Sequence, residues 1–175
     1  MMPDDLFFSG GAVISDCDLY RYRLFRRWRQ EDRGGVLFIM LNPSTADDSV
    51  DDPTIRRCTG FTKAWGYGGF EVVNLFAFRA TEPDELLNAD DPIGPENDEH
   101  IRDALAYSDF VVCAWGAHKM AESRAAAVLR IIREQDRVPH CLGVTKSGAP
   151  KHPLYIAGDT TPALYSSDNC QEAEQ

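Results

Sequence analysis

Val36-Leu37-Phe38-Ile39-Met40, followed at once by Leu41-Asn42-Pro43-Ser44-Thr45-Ala46-Asp47-Asp48, decides the fold. An unbroken apolar run suits a strand covered on both faces, and such strands mark a parallel sheet wrapped by helices. Here a proline and small polar residues then stop the run abruptly. The pattern recurs where Phe70-Glu71-Val72-Val73 meets Asn74-Leu75-Phe76-Ala77-Phe78-Arg79, and where Phe110-Val111-Val112-Cys113-Ala114 meets Trp115-Gly116-Ala117-His118-Lys119. It appears once more where His140-Cys141-Leu142-Gly143-Val144 meets a segment ending in Lys151-His152-Pro153-Leu154-Tyr155. If the strands are parallel, all these polar tails gather at one carboxyl edge, where open α/β sheets hold their ligands.

Between the strands the pattern turns helical. Asp52 and Pro53 suit a helix cap and first turn, Ile55, Cys58, Phe61 and Trp65 follow at helical spacing, and Gly66 closes the helix. Thr81 is placed to cap a short helix over 82–87, and Ile101 and Leu105 mark the buried side of a longer one within 94–108. Ala121–Glu134, rich in alanine, leucine and isoleucine, predicts a third. Ahead of the first core strand, 20–28 alternates like a strand or hairpin arm, and 30–35 supplies a turn. The expected fold is α/β: a three-layer α/β/α sandwich around a central, mostly parallel four-stranded sheet, with strands at 36–41, 70–76, 109–115 and 138–145. One domain is expected, with its core over 36–156 and a polar, fraying tail from 159 onward.

A chain of 175 residues with 43% apolar and 26% charged side chains is long enough to bury a core without disulfides or metal, and reads as soluble and globular. Its acidic start carries no secretory pattern, and no stretch approaches the ~20 apolar residues of a membrane span. Cys17, Cys58, Cys113, Cys141 and Cys170 are irregularly spaced, with no CxxC pair. That spacing points to a reducing cytoplasm and away from a disulfide framework, a zinc site or an iron–sulfur cluster, so no cofactor is expected. The net charge of -10 argues against a protein that coats nucleic acid. Charge is unevenly spread, however: 66–110 carries a net of -9 and 111–151 a net of +4.

The first tail offers the Asn42 amide, the Pro43 turn and the Ser44 and Thr45 hydroxyls, a set able to hold a water or a heterocycle. Asp47, Asp48, Asp51 and Asp52 follow as an acidic knot, but magnesium sites usually need substrate phosphates as well, and Asp52 is wanted as a cap. No metal site is assigned. In the second tail Asn74 sits at a strand end, with Phe76 and then Arg79 after it; an amide together with an aromatic ring suits a flat base that has left its stack. Phe76 and Phe78 suit the core equally. In the third, Gly116 beside Trp115 permits close approach of backbone to ligand, and His118 reads as a surface residue of the next helix. In the fourth, proline fixes His152 between Lys151 and Tyr155, and a neutral imidazole there can donate to charge developing on a leaving group.

The order and content of these tails resemble the uracil-DNA glycosylase superfamily. Leu41-Asn42-Pro43-Ser44 resembles the asparagine form of the motif that positions the attacking water, and Asn74 to Pro83 resembles a strand ending in asparagine before an Arg/Pro-rich turn. Trp115-Gly116-Ala117 is similar to the small-residue turn after the third strand, and His152-Pro153-Leu154-Tyr155 to the late His-Pro motif. The longer stretches LNPSTADDSVDDPTIRRC, NLFAFRATEP and KHPLY also look like an uncharacterised bacterial family within or near that superfamily. Membership implies a uracil-DNA glycosylase-like fold.

The resemblance implies a hydrolase of N-glycosidic bonds: a water oriented by Asn42 attacks C1′ of a nucleoside while His152 stabilises the departing base. Asn74 would read the base edge, Phe76 would stack on it, and Pro43, Ser44, Thr45, Arg79, Trp115, Gly116, Lys151 and Tyr155 would complete the substrate site. The expected partner is a nucleobase, nucleoside or nucleotide, with weak or no binding to undamaged duplex DNA and no membrane association. A non-catalytic binder of a nucleotide or modified base fits the same pocket, and metal-dependent phosphoester hydrolysis at the aspartate knot is a third reading.

Overall fold

The apolar run at 36–40 becomes a central strand because both of its faces find cover. In the computed structural model, which describes residues 9–28, 35–44 and 52–166, β3 (Val36–Met40) is buried along its whole length. Leu37 and Ile39 point into one hydrophobic cluster, and Val36, Phe38 and Met40 into a second on the opposite face. Complete burial of each such side chain contributes about 1.5–3 kcal/mol.

The remaining strands are β1 (Ser9–Ile14), β2 (Arg21–Arg27), β4 (Gly69–Asn74), β5 (Phe110–Cys113), β6 (Pro139–Cys141) and β7 (Ala163–Leu164). They form one seven-stranded mixed sheet in the order β1-β2-β4-β3-β5-β6-β7. The β4–β3, β3–β5 and β5–β6 pairs are parallel, whereas the β1–β2, β2–β4 and β6–β7 pairs are antiparallel. The sheet is therefore wider than the four strands expected, because both flanks add antiparallel strands.

β1 and β2 form a hairpin that joins the sheet through β4, where Arg23 makes a two-point ion pair with Glu71. On the far side β7 forms where the sequence suggests a thinning tail. Tyr165 beside it is buried, donating its backbone N–H to Pro139 O at 2.9 Å and its hydroxyl to Gly148 O at 3.3 Å. β6 is shorter than the apolar pattern suggests. After Cys141 the chain folds back, with Lys151 N–H donating to Gly143 O at 2.9 Å and Val144 bridging to Pro150.

Helix α1 (Pro53–Ala64) starts as its sequence dictates: the Asp52 carboxylate accepts from Ile55 N–H at 2.8 Å. Ile55, Cys58 and Phe61 pack under it, Trp65 ends it, stacking on Phe61, and Gly66 turns the chain away with φ +82°. α2 (Asn97–Tyr107) and α3 (Ala121–Glu134) contribute Ile101, Leu105, Val128 and Ile132 to the other cluster. Among the described residues α1 thus covers one face and α2 and α3 the other. The short helix expected over 82–87 is a 3₁₀ turn, Pro83–Asn88; its cap is Glu82, whose backbone N–H donates to the Glu85 carboxylate at 2.8 Å, rather than Thr81.

Candidate functional site at the carboxyl edge of the sheet

Because β4, β3, β5 and β6 point the same way, the turns that follow them share one edge. Asn74, the last residue of β4, lies opposite Met40 at the end of β3. Pairing continues past the strands: Leu75 N–H donates to Met40 O at 2.8 Å, Phe76 N–H to Leu41 O at 3.0 Å and Ala80 N–H to Pro43 O at 3.0 Å. Asn42 ties the two turns together from the other direction. Its Nδ2 donates to Ala80 O and to Pro43 O, each at 3.0 Å.

Asn74 falls on the α1 face by strand alternation, in line with Phe70 and Val72. It is only 3% exposed. Its backbone carbonyl accepts from Asn97 Nδ2 at 3.0 Å.

His152 caps the 3₁₀ turn Pro153–Tyr155, and its Nδ1 accepts from Leu154 N–H at 3.2 Å. A ring nitrogen that accepts carries no proton, so the neutral imidazole carries its proton on Nε2. Burial pushes its pKa below the usual 6.5, opposed in part by the Asp52 carboxylate. Two contacts place the ring. At the end of β5, Gly116 (φ +72°) donates to Pro150 O at 2.8 Å, and a Cβ at that glycine would lie 3.8 Å from His152 Cβ. From α1, Arg57 Nε donates to Pro153 O at 3.3 Å and its Nη2 to Ile156 O. Asn42, Asn74 and His152 thus share the carboxyl edge, with His152 held between the end of β5 and α1.

The other residues singled out in the sequence divide. Pro43 is buried, Ser44 half-buried, and Lys151 and Tyr155 stand exposed next to His152; the Tyr155 ring is 6.0 Å from the imidazole and 82% exposed. Phe76 belongs to the core on the α2–α3 face at 3% exposure, so it offers no free ring for stacking. Arg79 turns away, donating from Nη1 to Asp18 O in the β1–β2 turn at 3.2 Å. His118 is not an open surface residue of α3. Its Nε2 lies 3.3 Å from Asp84 Oδ1, its Nδ1 accepts from Met120 N–H at 3.2 Å, and its side chain is 14% exposed. Thr45, Asp47, Asp48 and Asp51 lie outside the described residues, as do residues 30–34 of the expected turn.

Trp115 and Gly116 border a hollow that Asn42, Asn74 and His152 do not line. A groove of about 710 Å³ runs between α3 and residues 147–149, with Trp115 and Tyr165 among its walls and Lys119 and Arg133 among its polar lining. Gly116 belongs to both places, since it also abuts His152. Trp115 itself is 3% exposed and packs edge-on to Tyr165. Among the described residues no cluster of three or more His, Cys, Asp or Glu side chains is arranged to hold a metal ion, and no helix is long and apolar enough to cross a membrane.

The model of the family described as protein of unknown function (DUF1643) matches residues 21–154, more than half of the chain. The chain belongs to that family. The match runs from β2 to just beyond His152 and so takes in Asn42, Asn74 and His152. No curated protein and no solved structure matches.

In this DUF1643 chain two buried polar residues escaped the sequence reading. Arg124 of α3, 7% exposed, donates from Nε to Leu75 O at 2.8 Å and from Nη2 to Asp98 at 2.5 Å. Asn97, fully buried at the start of α2, donates to Leu75 O at 3.2 Å as well as to Asn74 O. They satisfy the carbonyls where β4 leaves the sheet and so hold Asn74 in place from the opposite face. Their types gave no signal: an arginine in a helix and an asparagine near a helix start usually face water.

Proposed function

We propose that this protein recognises a nucleobase at the carboxyl edge and hydrolyses an N-glycosidic bond there. The observation that carries the reading is the state of His152: Nδ1 engaged by Leu154 N–H, the proton on Nε2, and a pKa held low by burial. An imidazole that stays neutral can donate one hydrogen bond to an anionic leaving base without first being deprotonated. Triosephosphate isomerase, a standard example of pKa tuning, likewise uses a neutral histidine as electrophile.

The other roles follow from which atoms remain uncommitted. Both amide hydrogens of Asn42 are spent on carbonyls, so Oδ1 is the atom it has left to orient a water. That water attacks C1′, the bond from C1′ to the base nitrogen breaks, and the electron pair stays on the base, where His152 Nε2–H stabilises it. Asparagine cannot take the water's proton, which passes to solvent, so catalysis rests on positioning and on the leaving group. The buried Asn74 amide reads the base edge. The resemblance to the uracil-DNA glycosylase superfamily in the order of the four tails supports the same assignment.

One observation favours the non-catalytic alternative, a binder of a base or nucleotide in the same place: Asp52, the carboxylate whose charge reaches His152, is committed to capping α1. Incubating the protein with free nucleosides, nucleotides and oligonucleotides carrying altered bases, with and without chelator, separates the readings. Release of a base that survives chelator and is lost in His152→Ala supports hydrolysis. Saturable binding without release supports the binder. Release abolished by chelator would move the chemistry to the aspartates at 47, 48 and 51.

A further inference from the structure

The turn that carries His152 is short, and a 3₁₀ turn of three residues does not hold itself rigid. Its stability is borrowed from α1. The Arg57 guanidinium spans the turn, donating from Nε to Pro153 O at the start and from Nη2 to Ile156 O just past the end. The guanidinium is itself located, since it lies 5.0 Å from the centre of the Phe61 ring, within the core of α1. Between the two clasped carbonyls lies the Leu154 N–H that engages His152 Nδ1.

We infer that Arg57 is a positioning residue for the edge site: by clasping both ends of the 153–155 turn it keeps Leu154 N–H on Nδ1 and thereby keeps the proton of His152 on Nε2. The inference rests on the functional reading above only for its consequence in catalysis; the effect on the imidazole stands apart from it. A lysine at this position presents a compact ammonium in place of a planar fork, so it loses the fixed two-point geometry that holds both carbonyls. The stretch Asp52-Pro53-Thr54-Ile55-Arg56-Arg57-Cys58 then has two tasks, since Asp52 starts the helix and Arg57, just over one turn later, holds the histidine turn.

The test is the tautomer of His152, read from ring ¹⁵N shifts at a pH where the ring is neutral, in the wild type, Arg57→Lys and Arg57→Ala. The wild type is expected to show one Nε2–H tautomer, Arg57→Ala a mixture, and Arg57→Lys an intermediate. Backbone amide shifts of β5 and α3 report whether each variant is folded, and Arg57→Lys keeps the test decisive if the alanine variant does not fold. A single unchanged Nε2–H tautomer in the folded variants would overturn the inference. Where base release is measurable, kcat is expected to fall by about tenfold in Arg57→Ala with little change in KM, the signature of lost alignment. If no form of the protein releases a base, the hydrolase reading fails, and the tautomer result still decides the role of Arg57.

Discussion

Asn42 Nδ2 donates to the backbone carbonyl of Ala80 at 3.0 Å, so the turn after β3 and the turn after β4 are held as one piece. Asn42→Ala is therefore expected to act twice. Base release should slow by ~10² or more, as expected when an oriented donor or acceptor is removed from a reacting centre. The loss of partners for Ala80 O and Pro43 O should cost ~1–3 kcal/mol of stability in urea unfolding. A variant as stable as the wild type would show that the two turns do not depend on this amide.

His152 gives a pH prediction of definite sign. Its folded-state pKa lies below the ordinary 6.5, so the unfolded chain binds the extra proton first as pH falls. The contribution of the neutral ring is fully present above pH ~6.5 and is lost as pH falls toward the folded-state value. Stability of the wild type relative to His152→Gln, measured in urea between pH 7.5 and 5, should decline only in the acidic half. Base release should be flat through neutrality, with its acid limb centred below 6.5. A limb centred above 6.5 would mean that the ring is held charged.

The thiols are expected to react unequally. Burial raises the pKa of Cys58 and Cys113 well above 9.0, and Cys141 is also buried, whereas Cys17 is exposed with a pKa lowered chiefly by the Ser15 hydroxyl. With Cys170 replaced by serine, an alkylating reagent at neutral pH should label Cys17 on the native protein and the other three only after unfolding, as mass spectrometry of peptides would show. Rapid labelling of Cys113 in native protein would contradict the packing of β5.

Duplex DNA should bind weakly and lose almost all affinity at ~0.15 M salt, because a net charge of -10 repels a polyanion. Anisotropy titrations at two salt concentrations would measure this. Tight binding at the higher salt would show that the basic stretch at 111–151 forms a far more segregated face than its sequence suggests.

Much of the frame was legible because it rests on local signals. The β3 run, the Asp52-Pro53 start of α1 and the limits of α3 each announce themselves within a few residues. What escaped depends on partners distant in sequence. β1 is Ser9-Gly10-Gly11-Ala12-Val13-Ile14, a poor strand on propensity, and it forms because β2 offers it a ladder. β7 has two residues and exists through its pairing with β6. Phe76 reads as a stacking platform from its place after Asn74, yet the strand alternation stops with β4 at Asn74, and Leu75 and Phe76 both turn to the α2–α3 face. The positions of Asn42, Asn74 and His152 at one edge followed from parallel strands alone, whereas the Asn42 bond to Ala80 and the Arg57 clasp needed the fold.

The brevity of β7 also bears on how the molecule meets its own copies. Val138 and Leu164, 56% and 67% exposed, lie beside the outermost pairing on that side of the sheet, a place where a long free strand would invite a second chain to add on. A strand of two residues gives an incoming chain scarcely any ladder to copy. The sheet is thus capped by an element too small to serve as a template, and Pro162 directly before it removes a backbone donor as well.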